Sequence, residues 1–421
     1  MSEHAALAKL PSMQAFWKQR HRRWVMIWPL ALAQMTSWGT MYFSFSLFSG
    51  PMERDLGWSH PAINGALTCG LLITGAMAYP IGTLLDRYGG RWLMTLGSLG
   101  AGLLLLIWSQ VQTLPQFYLI WLTLGVCLSC CLIEPVFVVI NQVFGKDARN
   151  GITTVTMITG LAGTVFLPLI GYLIPQLDWR TTLVVLAALN LCFNAPVHWW
   201  FIPPRSRSVQ VNHPITEKRA RIVMRRRLRN PVFWGLVLWY TSYSLTGSSV
   251  IFQYVPVLRA ENVTDGVIFF TFALIGPVQL IARLIIITLG SRASIARLGA
   301  FTSALVPLSI LLLIFAPYQT GWLCVFAACF GTGHGITTIL RGTAPIEWLG
   351  REHFGRTMGA IALPMMIAMA LAPSLTAYAW SASGNSEFML WMIFAGSLLG
   401  VVGYWLAVLS RRKARRAAKA T

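Results

Sequence analysis

Charged residues are scarce in this sequence. They make up 11% of its 421 residues, while 56% are hydrophobic and the mean hydropathy is +0.62. Because about a quarter of the residues of a soluble domain are charged, this composition excludes an ordinary soluble protein. The apolar residues fall in runs of about 20 or more, which is the length that crosses the hydrocarbon core of a bilayer. The composition therefore predicts an all-α integral membrane protein.

Acidic residues are scarcer still, with 13 Asp and Glu against 33 Lys and Arg and a net charge of +20. The distribution of the basic residues argues against a nucleic-acid partner, because they concentrate in segments predicted to lie on one side of a membrane. These segments are 1–23, the linker 204–231, the tail 410–421 and the short loops between them on that side. Loops on the other side contain only Arg54, Arg180 and Arg259. By the positive-inside rule, both termini are predicted to lie in the cytoplasm and the basic segments against anionic lipid of the inner membrane.

The sequence also lacks the marks of an enzyme or of a disulfide-linked protein. It contains no G-x-x-x-x-G-K-[ST] phosphate loop, no H-E-x-x-H and no nucleophile elbow. Enzyme activity, ATP as energy source, a cofactor and a bound metal are therefore not expected. All seven cysteines lie inside apolar runs, which argues against an external disulfide framework. The first 23 residues are polar and basic, so no cleaved signal peptide is predicted.

Twelve apolar segments are predicted to span the membrane. They are 24–49, 61–85, 92–111, 116–143, 152–176, 181–203, 232–258, 266–289, 295–317, 321–346, 355–380 and 388–409. The long basic linker at 204–231 separates six spans from six. We therefore predict one six-helix bundle at 24–203 and a second at 232–409, flanked by a basic segment at 1–23 and a basic tail at 410–421.

Between the second and third spans, charge and glycine are closely packed in Gly82-Thr83-Leu84-Leu85-Asp86-Arg87-Tyr88-Gly89-Gly90-Arg91. The Asp86 carboxylate is expected to accept hydrogen bonds from the start of the next helix and to pair with Arg87 or Arg91. G-x-x-x-D-R-x-G-G-R resembles the signature of the major facilitator superfamily of transporters. The resemblance implies two six-helix bundles related by a pseudo-two-fold axis. It also implies a cytoplasmic gate formed by Gly82, Asp86, Arg87, Gly89, Gly90 and Arg91.

A weak internal repeat agrees with two related halves. Gly145-Lys146-Asp147 follows the fourth predicted span, and Gly350-Arg351-Glu352 follows the tenth. The spacing from Gly145 to Gly350 also separates Pro168 from Pro373. At that offset from the gate motif, Gly290-Ser291-Arg292 resembles a second copy that lacks the acidic residue.

Several stretches resemble the monocarboxylate and oxalate/formate branch of that superfamily. They are Asp55-Leu56-Gly57-Trp58-Ser59, the segment 144–151 with Gly160 and Gly163 after it, and Asp178-Trp179-Arg180. The branch keeps an Asp and an Arg one turn apart in span eight, and there the Arg receives the substrate carboxylate. Arg283 matches that Arg, whereas Gln279 stands at the Asp position and cannot titrate. The lysines that members of the branch have in spans one or eleven are absent here.

Three ionisable side chains are predicted to lie at membrane depth, where a charge is costly and points to function. Arg283 presents a fork of donors that suits a carboxylate, and the alternative is a structural ion pair. Glu134 precedes Pro135 in span four, and Arg341 lies in span ten. Because the resemblance relates these two spans by symmetry, Glu134 and Arg341 are expected to form a structural pair or gate. The alternative role for Glu134 is to carry a proton.

Polar and aromatic residues in spans one, seven and ten are candidates to complete a substrate cavity or, alternatively, to pack helices together. They are Gln34, Trp38, Tyr42, Tyr243 and His334. His334 is a candidate proton relay because imidazole titrates near neutrality, although a simple bond to a neighbouring helix is the alternative. Cys127, Cys130 and Cys131 cluster in span four, where soft thiolates can pass a metalloid or merely fill space.

The sequence thus predicts a monomeric secondary transporter that moves a small organic anion, most simply a monocarboxylate, across the inner membrane by alternating access. H+ is the candidate coupling ion, and the expected partners are a small-molecule substrate and membrane lipid. The alternative is an efflux carrier for a drug-like compound or for a metalloid such as arsenite. A receptor or a membrane-embedded enzyme is the least favoured class, because the sequence shows neither a catalytic set nor an appended signalling domain.

Overall fold

The computed structural model describes residues 13–204, 217–289, 294–315 and 317–420. All regular structure in these ranges is helical. In chain order the α-helices are α1 Met13–Trp38, α2 Phe45–Leu56, α3 His60–Tyr88, α4 Gly90–Ser109, α5 Leu114–Cys131, α6 Ile133–Phe144, α7 Ala148–Thr159, α8 Ala162–Leu177, α9 Trp179–Leu189, α10 Ala195–Phe201, α11 Glu217–Leu228, α12 Pro231–Ala260, α13 Asp265–Leu289, α14 Ile295–Phe315, α15 Thr320–Leu349, α16 Phe354–Ser383 and α17 Ser386–Ala420. Two π-helical turns, Gly39–Phe43 and Asn190–Asn194, join α1 to α2 and α9 to α10, and a 3₁₀ turn at Gly145–Asp147 precedes α7.

Ten segments in the described ranges are long and apolar enough to cross a membrane. The predicted count of twelve is therefore not confirmed. The other two predicted spans, 24–49 and 232–258, are helical but carry many hydroxyl side chains, which lower their mean hydropathy. Such hydroxyls tolerate burial when they bond to the carbonyl one turn earlier. Thr40 and Ser44 do so, at 2.8 and 2.7 Å.

Several predicted spans are interrupted or extended. Span four breaks at Leu132, between α5 and α6, and span five breaks between α7 and α8. The helix α17 continues through most of the predicted tail 410–421. The predicted second gate copy, Gly290-Ser291-Arg292, lies outside the described residues, as do the first twelve residues and much of the linker 204–231.

Apolar side chains form three buried clusters. One draws on residues between Met26 and Ile202, together with Phe354 and Met358 of α16. The other two contain only buried residues from Met224 onward. We refer to the helices up to α10 and those from α12 onward as the two halves. The boundaries predicted for the two bundles stay predictions.

The two halves approach most closely where α3 meets α16. A Cβ atom on Gly82 would lie 2.1 Å from the Gly355 carbonyl oxygen, and one on Gly359 would lie 2.2 Å from the Ala78 carbonyl oxygen. Only glycine permits main chains to come so close. The glycine of the gate motif therefore fixes the contact between the halves.

Both described ends of the chain lie at the same end of the molecule as this contact. Trp24 packs edge-on against Phe144, with ring centroids 5.7 Å apart. Arg411 of α17 lies 3.0 Å from the Glu347 carboxylate. Arg351 donates to the Gly145 carbonyl across the two halves at 2.7 Å. We call this end, which contains Gly82, Asp86, Gly145, Gly350 and Gly355, the gate end.

Candidate functional site

Arg283 lies at the centre of the contact between α13 and two other helices. It is 4% exposed. Its Nη1 donates to the Thr156 carbonyl at 2.7 Å, its Nε to the Gly335 carbonyl at 3.3 Å and its Nη2 to Gln279 Oε1 at 3.1 Å. Thr156 belongs to α7 and Gly335 to α15. The structure thus brings together the predicted pair Arg283 and Gln279 and ties them to the other half.

The charge of Arg283 has no counter-ion in the described part of the chain, where the described ion pairs involve other residues. Taking a guanidinium out of water costs several kcal/mol unless charge or hydrogen bonds compensate. Three neutral oxygens satisfy donors of Arg283 but leave its positive charge unbalanced. The site is therefore electrostatically suited to an anion.

Glu134 and Arg341 form a second connection between the halves. Glu134 Oε1 lies 3.1 Å from Arg341 Nη2, and the two side chains are 15% and 9% exposed. The Arg341 guanidinium also lies 5.8 Å from the centre of the Phe137 ring. The expected contact between Glu134 and Arg341 is present, and its role as gate or proton carrier stays a prediction.

His334, on α15, lies beside the site of Arg283. Its ring stacks on Tyr243 and tilts against Phe330, with centroids 4.3 Å apart in both cases. The Tyr243 hydroxyl lies 2.9 Å from Thr338 Oγ1. His334 Nε2 is buried with no hydrogen-bond partner among the described residues. Because Gly335 follows His334 and contacts Arg283, the structure places Tyr243, His334 and Arg283 in one region.

The predicted residues of the first span lie on α1 and the π-helical turn after it. Trp38 packs edge-on against Tyr42 with ring centroids 5.2 Å apart. Gln34 is fully buried, and neither of its amide atoms has a partner among the described residues. In that part of the chain, no hydrogen bond or ring contact joins these three side chains to Arg283. The structure therefore does not gather the predicted cavity residues into one described contact network.

Asp86 connects the gate motif to the other half. Its two carboxylate oxygens accept main-chain hydrogen bonds from Gly355 and Arg356, both at 2.9 Å. These N–H groups belong to the first turn of α16, where helix donors lack partners within the helix and favour negative charge. The sequence analysis predicted that the donors of these bonds lie at the start of the next helix, α4. The described main-chain donors are instead those of a distant helix, because the close contact at Gly82 brings α16 to the carboxylate.

The remaining gate residues fix the turn between α3 and α4. Gly89 has a φ of +81°, which a side chain rarely adopts. A Cβ on Gly90 would lie 2.2 Å from the Val139 side chain. Arg91 Nε donates to the Ile202 carbonyl at 2.7 Å, and the Arg87 guanidinium lies 5.1 Å from the Tyr88 ring centre. Arg91 therefore ties the end of the sixth predicted span to the motif.

Comparison with known proteins agrees with this arrangement. The family model of the Major Facilitator Superfamily matches residues 30–340, which is most of the chain. This chain belongs to the Major Facilitator Superfamily. Members of the family are transporters rather than enzymes, so the chain is a multi-pass membrane transporter. The matched range includes the gate motif, Glu134 and Arg283.

One curated relative is the "Uncharacterized transporter YybO" of Bacillus subtilis (strain 168). It is 22% identical to this transporter over 185 residues. The alignment covers 40% of this chain and 42% of the relative, so the chain matches less than half of that protein's length. This likeness supports membrane transport in general, and the printed name of the relative gives no substrate.

Sequence reasoning missed the main-chain partner of Arg283. A carbonyl oxygen such as that of Thr156 has no signature in a sequence. The nearby Gly160-Leu161-Ala162-Gly163 stretch shows only small residues suited to helix contact. The structure shows that Gly160 lies directly against Arg283 Nη1.

A buried polar network between α1 and the π-helical turn Asn190–Asn194 was also missed. Asn190 donates to Thr40 Oγ1 at 2.9 Å, and Asn194 donates to Ser37 Oγ at 3.1 Å. The two π-helical turns thus lie at the same contact between the first and sixth predicted spans. Turns of this kind are frequent at functional sites, and their i→i+5 bonding cannot be read from hydropathy.

The linker helix α11 carries another residue that the sequence did not single out. Arg227 is 6% exposed, although it lies in a basic run that is typical of a solvated face. Its guanidinium donates to the main-chain carbonyls of Glu352 and His353 and to the Thr357 hydroxyl. Burial lowers the pKa of Arg227 below its ordinary value, and the nearby carboxylates of Asp86 and Glu352 oppose that shift. Arg227 therefore fixes α11 to the loop between α15 and α16.

The cysteine cluster of span four is packed against α4. Cys130 and Cys131 are buried, and Cys131 Sγ lies 3.5 Å from Ser98 Oγ. Ser98 also bonds to His198 Nδ1 at 2.9 Å, and His198 is fully buried. The described residues contain no group of three or more His, Cys, Asp or Glu side chains arranged to hold a metal ion.

Proposed function

We propose that this transporter moves a small organic anion, a monocarboxylate, across the inner membrane by alternating access of two six-helix bundles. The observation that carries the proposal is the buried Arg283 guanidinium, whose described partners are neutral oxygens. A carboxylate binds such a fork through two charge-assisted hydrogen bonds. The match of Arg283 to the arginine that receives the substrate carboxylate in the monocarboxylate branch supports the same substrate class.

The proposed topology has twelve spans with the gate end and both termini in the cytoplasm. Support comes from the described termini, which lie at the gate end through Trp24 and Arg411. The described basic helix α11 lies at the same end through the contacts of Arg227 with the carbonyls of Glu352 and His353, as the positive-inside rule requires. The helices α1–α2 and α12 supply the two spans beyond the ten apolar ones.

For H+ as coupling ion, Glu134 is the favoured carrier. Protonation would remove the charge that pairs with Arg341 across the halves and so weaken their connection. His334 is the second candidate, because its buried Nε2 has no partner among the described residues. Uptake that does not respond to collapse of the proton gradient would exclude both roles.

The substrate class is tested by thermal stability of the purified protein against acetate, lactate, pyruvate, formate, oxalate, a set of apolar drugs and arsenite. A ligand at 100 times its Kd stabilises the folded state by about 2.7 kcal/mol. A monocarboxylate is expected to stabilise wild type and the control Arg411→Ala, but not Arg283→Ala. Stabilisation by apolar compounds alone, equal in all three proteins, would replace the anion proposal with drug efflux.

A further inference from the structure

The helix that faces Arg283 is broken at this point. The helix α7 ends at Thr159 and α8 begins at Ala162. The Thr156 carbonyl, in the last turn of α7, accepts a hydrogen bond from the Gly160 amide at 3.0 Å and one from Arg283 Nη1 at 2.7 Å. This main-chain oxygen is therefore shared between its own helix and an arginine of the other half.

Gly160 is the residue that makes the contact possible. A Cβ atom at position 160 would lie 2.0 Å from Arg283 Nη1, so any side chain there must displace the guanidinium. The displaced atom is the far end of a flexible side chain, so the rest of the fold need not move. A Cβ atom added to Gly163, one turn further along, would have its nearest neighbour atom 3.7 Å away. The two glycines thus differ in whether an added methyl group reaches Arg283.

We propose that the Thr156 carbonyl holds Arg283 in the substrate-free transporter, that the substrate carboxylate replaces this carbonyl, and that Gly160 is the positioning residue for the exchange. This inference rests on the proposed function for the identity of the anion. It goes further in naming the group that the substrate displaces.

Two arginines, Arg283 and Arg341, connect the halves. Their partners decide at which of the two the substrate carboxylate replaces an existing contact. Arg341 is paired with the Glu134 carboxylate, and an incoming carboxylate gains little by replacing an equal charge. Arg283 is held by neutral oxygens, and a carboxylate in place of the Thr156 carbonyl adds the attraction between two opposite charges to the hydrogen bond. A substrate anion therefore displaces the Thr156 carbonyl and leaves the Glu134 pair in place.

The exchange has a consequence for the gate end. Arg283 lies in the part of α13 that leads to the gate end, and its bond to Thr156 joins α13 to α7 across the halves. Replacing that bond removes one of several connections that hold the two halves together at and near the gate end, while those of Asp86 and Arg351 remain. Substrate binding is thereby expected to make opening of the gate end easier without forcing it.

The test compares hydrogen–deuterium exchange of the full-length wild type, Gly160→Ala and the matched control Gly163→Ala. The readout is amide exchange at the gate end, in 82–90 and 350–357, with and without the monocarboxylate that most stabilises wild type. Gly160→Ala loses the hydrogen bond between the Arg283 guanidinium and the Thr156 carbonyl. Without ligand, its amide exchange at the gate end is therefore expected to be about tenfold faster than that of wild type. Wild type and Gly163→Ala are expected to show a similar rise only when the carboxylate is added.

Gate-end exchange of ligand-free Gly160→Ala equal to that of wild type overturns the inference, as does an equal rise in Gly163→Ala. If wild type binds a carboxylate and either result is found, the proposed substrate class stands and only the exchange at Thr156 is wrong. If no carboxylate stabilises wild type, the proposed function fails. The ligand-free comparison of the two glycine variants then still decides whether the Thr156 bond holds the gate end.

Discussion

The Glu134 carboxylate lies 3.1 Å from the Arg341 guanidinium and joins α6 of one half to α15 of the other. Both side chains are largely buried, so each charge depends on the other for compensation. The break at Leu132, just before Pro135, separates α5 from α6 and lets Glu134 stand at the start of a new helix. The pair thus connects the two halves through two opposite charges.

Removal of one partner of this pair is expected to destabilise the transporter. Glu134→Gln leaves the Arg341 charge buried without a carboxylate, at a cost of about 3 kcal/mol in the free energy of unfolding. The double variant Glu134→Gln with Arg341→Gln leaves no unbalanced charge and is expected to recover part of that loss. The measurement is the apparent melting temperature in detergent. A double variant less stable than Glu134→Gln would show that the pair is not the source of the effect.

Gly82 is expected to tolerate no side chain. Because a Cβ there would lie 2.1 Å from the Gly355 carbonyl oxygen, Gly82→Ala must push α3 and α16 apart, at a cost of about 1–3 kcal/mol. Gly171→Ala is the control, because no atom lies within 4 Å of a Cβ at that position. Melting temperatures should fall for Gly82→Ala and hold or rise for Gly171→Ala. Equal effects of the two substitutions would refute the close contact.

At the end opposite the gate end, Arg180 is expected to matter more than its acidic partner. Arg180 Nη1 donates to the carbonyls of Ser109 and Val111 at 2.9 and 3.1 Å, and Nη2 pairs with Asp55 at 3.1 Å. The Asp55 side chain is 49% exposed, so the ion pair is expected to contribute less than about 1 kcal/mol. Arg180→Ala should cost about 2 kcal/mol, because the end of α4 loses its charged donor. The measurement is thermal unfolding of the two variants. If Asp55→Asn destabilises the transporter as much as Arg180→Ala does, this order is contradicted.

His353 is expected to make stability fall with acidification. Burial lowers its pKa below the ordinary value, Asp86 and Glu352 oppose the shift, and Arg356 and Arg227 add to it. Because the unfolded chain binds this proton more tightly, stability is highest above the unfolded pKa of about 6.5 and decreases as pH falls through it.

The check is the pH dependence of the melting temperature between about pH 7.5 and 5.5. His353 has a φ of +47°, and Asn tolerates that conformation, so His353→Asn is a suitable variant. The variant should lose less stability than wild type across this interval. A pH dependence equal to that of wild type would assign the effect to other groups.

Much of the architecture could be predicted from local sequence features. Hydropathy located the helices, and the spacing of Gly82, Asp86 and Arg91 indicated the family that the wider comparison confirmed. The contact of Glu134 with Arg341 was expected from symmetry between the halves. The count of twelve spans was not confirmed: neither α12 nor the interrupted pair of helices α1 and α2 is among the ten described segments that are long and apolar enough to cross a membrane.

The order of residues along the chain was enough to indicate an all-helical membrane transporter with rare charges at Glu134, Arg283 and Arg341. Those features depend on composition and local spacing, which a single chain displays directly. The folded arrangement was needed to show that the Thr156 carbonyl holds Arg283 and that Asp86 accepts hydrogen bonds from the N–H groups at the start of α16. Main-chain groups are the same in every residue, so their roles arise only when distant helices are brought together.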